Sequence, residues 1–258
     1  MPEGDTIYGA AQRIRAALVG KEIASIETPH RRFERDRWPE RLSGRAVCAV
    51  DSKGKHLFIR FDGDLTLHSH LRMNGWWGVY ERGRRWGKSP NRAWLVIRTD
   101  QHEVVQFGGP VLELMTDSRS RFDQRIARLG PDILADEFDE ASFLRRLRED
   151  DPTRGIGDAL LDQRNLCGIG NLWKAEACFI AGLDPWKPVG RVSDDEALAA
   201  VHAVRPLMLR SGQGGGHVRD PWVFERHGRP CRRCGTTIRA RGQGDDNRTT
   251  YWCPECQA

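Results

Sequence analysis

The sequence predicts an α+β multidomain protein: an N-terminal β-sandwich behind a leading helix, then a helical domain that ends in a cysteine-bearing hairpin. Three observations predict it. Residues 4–19 carry Ile7, Ala10, Ala11, Ile14 and Leu18 at helical spacing, with Gly20 as a stop. Short apolar stretches broken by turn residues follow as far as residue 115, and beyond residue 139 the period becomes helical. The chain closes on two Cys-x-x-Cys pairs.

The strand candidates are residues 22–27, 46–51, 56–61, 65–70, 76–80, 93–98, 103–107 and 111–115. Their lengths and rough alternation suit a sandwich or barrel. Segment 82–92 is polar and basic, hence a loop, and the stretch around Pro131 reads as a linker. Helices are expected at 140–149, 157–161, 172–181 and 194–209, the last with Ser193 as N-cap and Glu196 completing a capping box. A glycine-rich stretch, 211–216, leads to the cysteines. The expected division is a β domain over 1–128, a linker over 129–138, a helical domain over 139–221 and a finger over 222–258.

Bulk properties narrow the class. The 258 residues suffice for two ordinary domains, and 39% apolar with 30% charged residues is a globular balance. No run of about 18 apolar residues exists, so no membrane span is expected. The opening Met-Pro-Glu-Gly-Asp lacks the basic region and apolar core of a secretion signal, which points to the cytoplasm. The net charge of +5 suggests a polyanionic partner, although arginine clusters such as 82–85 also suit a solvated loop. Of seven cysteines, Cys48, Cys167 and Cys178 stand alone, which argues against a disulfide framework and for a reducing compartment.

Cys231, Cys234, Cys253 and Cys256 have zinc-ligand spacing, two close pairs 18 residues apart. With all four positions supplied by protein, one structural zinc ion per chain is expected. Residues 236–241 and 249–252 are placed to pair as a hairpin around a turn at 242–247.

The N-terminus supports two readings. Pro2, Glu3 and Asp5 are ordinary helix starters. Removal of Met1 would instead expose a secondary amine on Pro2. Free α-amines titrate near pKa ~8, and a helix N-terminus favours the neutral, nucleophilic form. Such an amine condenses with an aldehyde to an iminium, an electron sink, with Glu3 beside it to move protons.

Five stretches, in order, carry a family resemblance. Met1-Pro2-Glu3-Gly4 resembles the start of the formamidopyrimidine-DNA glycosylase and endonuclease VIII family. Lys53-Gly54-Lys55-His56-Leu57 resembles its Gly-Lys-x-Leu turn, and His70-Leu71-Arg72-Met73-Asn74-Gly75 its DNA-facing loop. The run from Leu161 to Asn171 resembles its helix–two-turn–helix signature, and the cysteine module with Arg248 its zinc finger. The resemblance implies a bifunctional glycosylase and abasic-site lyase of base excision repair, a monomer acting on damaged DNA. Pro2 would form a Schiff base at C1′, Glu3 would act as acid/base, and Lys55 would assist protonation and bind phosphate. Asn171 and Arg248 would hold phosphates, Met73 would fill the gap left by a flipped base, and His70 would touch the DNA backbone.

Taken alone, Lys55 is an ordinary hairpin lysine, Asn171 a plain N-cap and Met73 a core residue. Gly4 and Asp5 replace the leucine and proline of the formamidopyrimidine branch, which favours the endonuclease VIII branch and oxidised pyrimidines, with strand cleavage by β,δ-elimination. Thr6 stands where the family often has a glutamate. Gly108-Gly109-Pro110 stands where further wedge residues are usual, with Arg121-Phe122 as a candidate substitute. Two other classes compete. A non-catalytic damage-binding protein would not need Pro2, Glu3 and Lys55. A small-molecule tautomerase using an N-terminal proline would need neither the cysteine module nor Asn171.

Overall fold

The computed structural model describes residues 2–33, 35–214 and 220–257. The chain forms two compact units, residues 1–2 with 6–127, and residues 3–5 with 128–258. α1 (Gly4–Leu18), whose residues from Thr6 onward belong to the first unit, leads into β1 (Ser25–Glu27), α2 (Trp38–Leu42) and seven strands: β2 (Val47–Lys53), β3 (His56–Phe61), β4 (Leu65–His70), β5 (Trp76–Glu81), β6 (Ala93–Arg98), β7 (His102–Phe107) and β8 (Val111–Thr116). Two short helices follow, α3 (Asp117–Phe122) and α4 (Gln124–Ala127).

The strands form two antiparallel four-stranded sheets, in the orders β1-β6-β7-β5 and β2-β3-β4-β8. Alternation decides their facing. Leu57, Ile59 and Phe61 on β3, Leu65 and Leu67 on β4, and Leu95 and Ile97 on β6 join one buried core with Ile7, Ile14 and Leu18 of α1. That is the expected sandwich behind a leading helix.

The opposite face of the first sheet is not left bare. Ala93, Val96, Val105 and Phe107 are buried there, and Trp86 from the basic 82–92 loop packs against them. Trp86 meets the Phe107 ring edge-on at 5.8 Å and donates its Nε1–H to Glu103 Oε2 at 2.8 Å. The loop's charges face solvent while its tryptophan covers apolar sheet.

The second unit holds α5 (Glu140–Glu149), α6 (Ile156–Ala159), α7 (Asn171–Ala181), α8 (Asp194–Gly214) and a hairpin of β9 (Arg239–Gln243) and β10 (Arg248–Trp252). Asp139 caps α5 by accepting from the Ser142 N–H at 2.8 Å. The expected capping box of α8 is present, with Glu196 N donating to Ser193 Oγ and Ser193 N to Glu196 Oε2. α8 continues to Gly214, past the expected end at 209 and through Pro206. The rest of the glycine-rich stretch, 215 and 216, lies outside the described residues.

The stretch read as a linker is held along its first half. Gly130 N donates to Gln163 O, Cys167 N to Pro131 O and Ile133 N to Cys167 O, with Ile133 and Leu134 buried. β9 starts later than expected because residues before it pair elsewhere: Cys231 N donates to Thr236 O and Ile238 N to Arg229 O. Among the described residues, no helix is long and apolar enough to cross a membrane.

Candidate active site

The start of the chain is tied into the second unit through Glu3, whose side chain is buried. Its Oε2 accepts from the backbone N–H groups of Gly170 (2.9 Å) and Trp173 (3.3 Å), and its Oε1 from that of Leu172 (2.9 Å). These include donors that the first turn of a helix leaves unpaired, and Gly170 at the N-cap of α7 brings no side chain of its own. A carboxylate also suits the positive end of a helix.

The glycines nearby are forced by this approach. A Cβ on Gly170 would stand 2.3 Å from Glu3 Cδ. Gly4 N donates to Gly168 O at 2.8 Å, and a Cβ on Gly4 would come within 2.7 Å of that oxygen. Gly168 itself has φ of +107°, a backbone state that glycine enters freely. Pro2, half-buried, directly precedes Glu3 in the chain.

Asn171, expected to hold a phosphate, opens α7. The N–H groups of Gly170, Leu172 and Trp173 there have Glu3 as their partner. Asn171 turns its side chain to the hairpin, donating from Nδ2 to Thr249 O at 2.8 Å. Arg248, the residue before Thr249, is exposed at the end of the turn, with Asp246 Oδ2 at 3.7 Å.

Two buried charges on α7, Lys174 and Glu176, were not singled out from the sequence. Lys174 is fully buried and donates from Nζ to Thr250 Oγ1 at 2.5 Å. The Thr250 hydroxyl donates to Gln243 Oε1, and Gln243 Nε2 to Pro185 O. Burial lowers the Lys174 ammonium to about 8. Glu176 accepts from the backbone N–H groups of Trp222, Val223 and Phe224, and burial raises its carboxyl despite them. No amphipathic period signals either residue, because the acceptors or donors lie far along the chain.

The first unit presents Lys55, His70 and Met73. Lys55 follows Gly54 in a two-residue turn that joins β2 to β3, and Gly54 has φ of +57°. His56 opposes His70 across β3 and β4. The backbone N–H of Arg72 donates to His70 Nδ1 at 3.1 Å, so that nitrogen is the acceptor and a neutral ring carries its proton on Nε2. Met73 is 55% exposed, which rules out the core reading of this residue. It sits with exposed Arg72 and Asn74 on a tight loop anchored by buried Leu71, whose carbonyl accepts from Gly75 N at 3.0 Å. Arg121 and Phe122 are exposed on α3. That helix starts from Thr116, which pairs with Leu65 at the other end of β4 from His70.

Behind His70 the rings form a stack. His56 lies against His68 at 5.1 Å and meets His70 edge-on at 4.7 Å, and His68 stacks on Phe58 at 5.1 Å. Burial is the largest influence on all three histidines. It lowers His56 to about 3, helped by His70, His68 and nearby arginines. It lowers His68 to about 4 against the pull of Glu113, and His70 to about 4 with help from Arg72 and Lys55.

The cysteine quartet fits zinc. The four Sγ atoms lie within 4.8 Å of one another, with Cys231 to Cys256 at 3.9 Å and Cys234 to Cys253 at 3.4 Å. Thiolates at ordinary zinc distance around a tetrahedral ion stand about 3.8 Å apart. Arg233 N donates to Cys231 Sγ at 3.4 Å, and Cys231 and Cys253 pack with Ala175 and Phe179 of α7. When bound, zinc cross-links the two knuckles and supplies no reaction chemistry.

Comparison with known proteins matches three domain models to the chain in order. The formamidopyrimidine-DNA glycosylase N-terminal domain matches residues 1–119, and the H2TH domain of that enzyme matches residues 129–220. The zinc finger found in FPG and IleRS matches residues 228–258. A probable endonuclease 8 2 of Streptomyces coelicolor is 41% identical, covering 100% of this chain and 94% of that protein. The DNA-(apurinic or apyrimidinic site) lyase Nei2 of Mycolicibacterium smegmatis is 36% identical, covering 100% and 99%. The Lactococcus lactis Fpg in complex with DNA containing an abasic site has the same fold, at a TM-score of 0.83 and 22% identity over 100% of both chains. The chain belongs to the formamidopyrimidine-DNA glycosylase family, a class of DNA glycosylases that are also abasic-site lyases in base excision repair.

Two outcomes follow from the buried groups and the cysteines. Folded His56, His68 and His70 bind protons below their ordinary 6.5. Between pH 6.5 and about 4 the unfolded chain therefore holds more protons, so stability is full above 6.5 and falls as the pH drops. His68 alone accounts for up to about 3 kcal/mol. Melting curves across that range should show the loss, and His68→Phe should flatten it; an unchanged slope would refute the assignment. Metal analysis should find one zinc per chain. Chelation or Cys253→Ser should unfold the finger, loosen its packing on α7 and leave the β-sandwich intact by circular dichroism and proteolysis. Zinc-free protein with a folded finger contradicts this.

Proposed function

We propose that this chain excises oxidised bases, pyrimidines foremost, and cleaves DNA at the abasic site by β,δ-elimination through a Schiff base on Pro2. The observation that carries the reading is the fixing of Glu3. A residue held by three N–H groups gives its neighbour Pro2 a defined place instead of a frayed terminus. With Met1 removed, the Pro2 nitrogen attacks C1′. The glycosidic bond breaks, its electron pair leaves with the base, and a proton neutralises that base. The sugar ring opens to an iminium. Loss of the C2′ proton, with the iminium as electron sink, expels the 3′ phosphate, and a second elimination expels the 5′ phosphate. Water then releases Pro2. Glu3, anchored as an acceptor, is the group beside Pro2 suited to moving these protons.

The remaining candidates supply binding. Lys55 and the Nε2–H of His70 suit phosphate oxygens. Arg248 suits a phosphate beside the lesion, and the Asn171–Thr249 bond fixes its strand to α7. Met73, exposed on an anchored loop, suits the gap left by a flipped base. Support for pyrimidines comes from relatives named endonuclease 8 and from Asp5, buried and accepting from Ser211 Oγ at 2.6 Å, where the formamidopyrimidine branch has proline.

Borohydride trapping on abasic DNA tests the nucleophile. Pro2→Gly, or an N-terminal tag that cannot be removed, should abolish most of the covalent product and keep DNA binding. Full trapping by the tagged protein would assign the nucleophile to an internal lysine. A panel of lesions then ranks the substrates.

Arg248 and Met73 separate by physics. Arg248→Ala should weaken binding to every DNA and reduce the salt-dependence slope by about one counterion. Met73→Ala should leave that slope unchanged, lose activity mainly on paired DNA and spare single strands, which need no unpairing. Equal losses on both substrates would remove Met73 from the flipping step.

A further inference from the structure

The outer face of β3, β4 and β8 carries a line of polar groups that the reaction does not use. His56 Nδ1 and His68 Nε2 are 2.8 Å apart. On the far side of His68, Nδ1 has no hydrogen bond among the described residues, is shut away from solvent, and faces Glu113 Oε2 at 3.9 Å. Glu113 is paired with Arg125 at 2.7 Å, which also binds Asp123 at 2.6 Å. Arg125, through its hydrogen bonds, holds the Glu113 carboxyl below its ordinary value, so Glu113 is an acceptor. The other charged groups acting on the rings are Lys55, from the β2–β3 turn, and Arg72, from the loop after β4.

The charge of Glu113, 3.9 Å from His68 Nδ1 and beyond hydrogen-bond distance, favours one proton arrangement along this line. The Glu113 carboxylate draws the His68 proton to Nδ1. His68 Nε2 is then the acceptor in the 2.8 Å bond, and His56 must donate from Nδ1. His56 therefore presents its Nε2 lone pair. His70, whose Nδ1 accepts from Arg72 N, presents the opposite polarity, Nε2–H. The two rings oppose each other in register at the strand ends next to Lys55.

We propose that Glu113, His68 and His56 form a relay that fixes the tautomer and orientation of the ring beside Lys55 and His70, making His68 a positioning residue for DNA binding. A carboxylate that orients an imidazole through its far nitrogen is a general device, and here it acts through two rings in series. The proposal rests on the reading of Lys55 and His70 as phosphate contacts, and its first measurement does not.

Long-range proton–nitrogen NMR of the histidine rings at pH 7 reads the tautomers of the whole protein. The expected result is Nδ1–H for His56 and His68 and Nε2–H for His70. Nε2–H on His68, or a protonated ring, overturns the relay whether or not the enzyme is active. Two variants then test its use. His68→Phe keeps the stack and removes both nitrogens. His68→Gln keeps a donor for Glu113 and an acceptor for His56. Affinity for DNA carrying an uncleavable abasic analogue should fall about tenfold in His68→Phe and stay within about twofold of wild type in His68→Gln. His56 should gain an Nε2–H population only in His68→Phe. Equal affinity in the two variants, or a His56 tautomer unmoved by His68→Phe, overturns the proposal. If His68→Phe does not fold, the wild-type spectrum and the His68→Gln affinity still decide it. Failure of trapping by wild-type protein would instead count against the Pro2 chemistry.

Discussion

The carboxylate of Glu3 and the first turn of α7 satisfy each other across 167 residues of chain. Either half alone would be unfavourable. A buried carboxylate without donors is costly, and so is a buried helix start whose N–H groups lack acceptors. Paired, they remove both costs and fix the chain start. The glycines around them are consequences: Gly170 leaves room for the Glu3 side chain, and Gly4 and Gly168 let two backbones approach within hydrogen-bond distance. The proposed nucleophile sits one peptide bond from this anchor, so its placement depends on the fold of a distant segment.

α7 serves as the hub of the second unit. Its start holds Glu3, Asn171 and Lys174 tie it to β10, and Glu176 gathers the backbone of residues 222–224. Its apolar residues Ala175 and Phe179 pack with Cys231 and Cys253. A fully buried lysine and a buried glutamate on one short helix would destabilise the fold if left unpaired, and each is met by donors or acceptors from the finger or the segment before it. The cysteine module is thus continuous with the helix that anchors Glu3, and a metal held there would stiffen that helix through packing and hydrogen bonds.

The first unit divides its work differently. Its rigid strands carry the neutral histidine stack behind Lys55 and His70, while Met73 stands on a loop with exposed neighbours. The phosphate contact proposed for His70 would gain from a donor fixed at the end of a strand. The proposed wedge role of Met73 needs a protruding side chain, and an anchored loop allows protrusion without disorder.

Local pattern made much of this legible in advance. β3, β4, β6 and α5 have the bounds read from the sequence, because alternation and helical period are written within a few residues. The cysteine spacing likewise states its own coordination. α2, α3 and α4 are too short to show a period, and α8 runs past its expected end at 209, where Gly212 is buried despite the low helix propensity of glycine. The proposed pairing of Pro2 with Glu3 was open to a reading from the residues themselves, whereas the part proposed for Lys55 came only with the resemblance to a family motif. What the tertiary structure alone decided is which polar group meets which: Glu3 with α7, Lys174 with Thr250, His68 with His56, Trp86 with the back of a sheet. A sequence determines local periodicity and ligand spacing directly, but a buried hydrogen bond requires a partner whose position is set by the packing of every element between them.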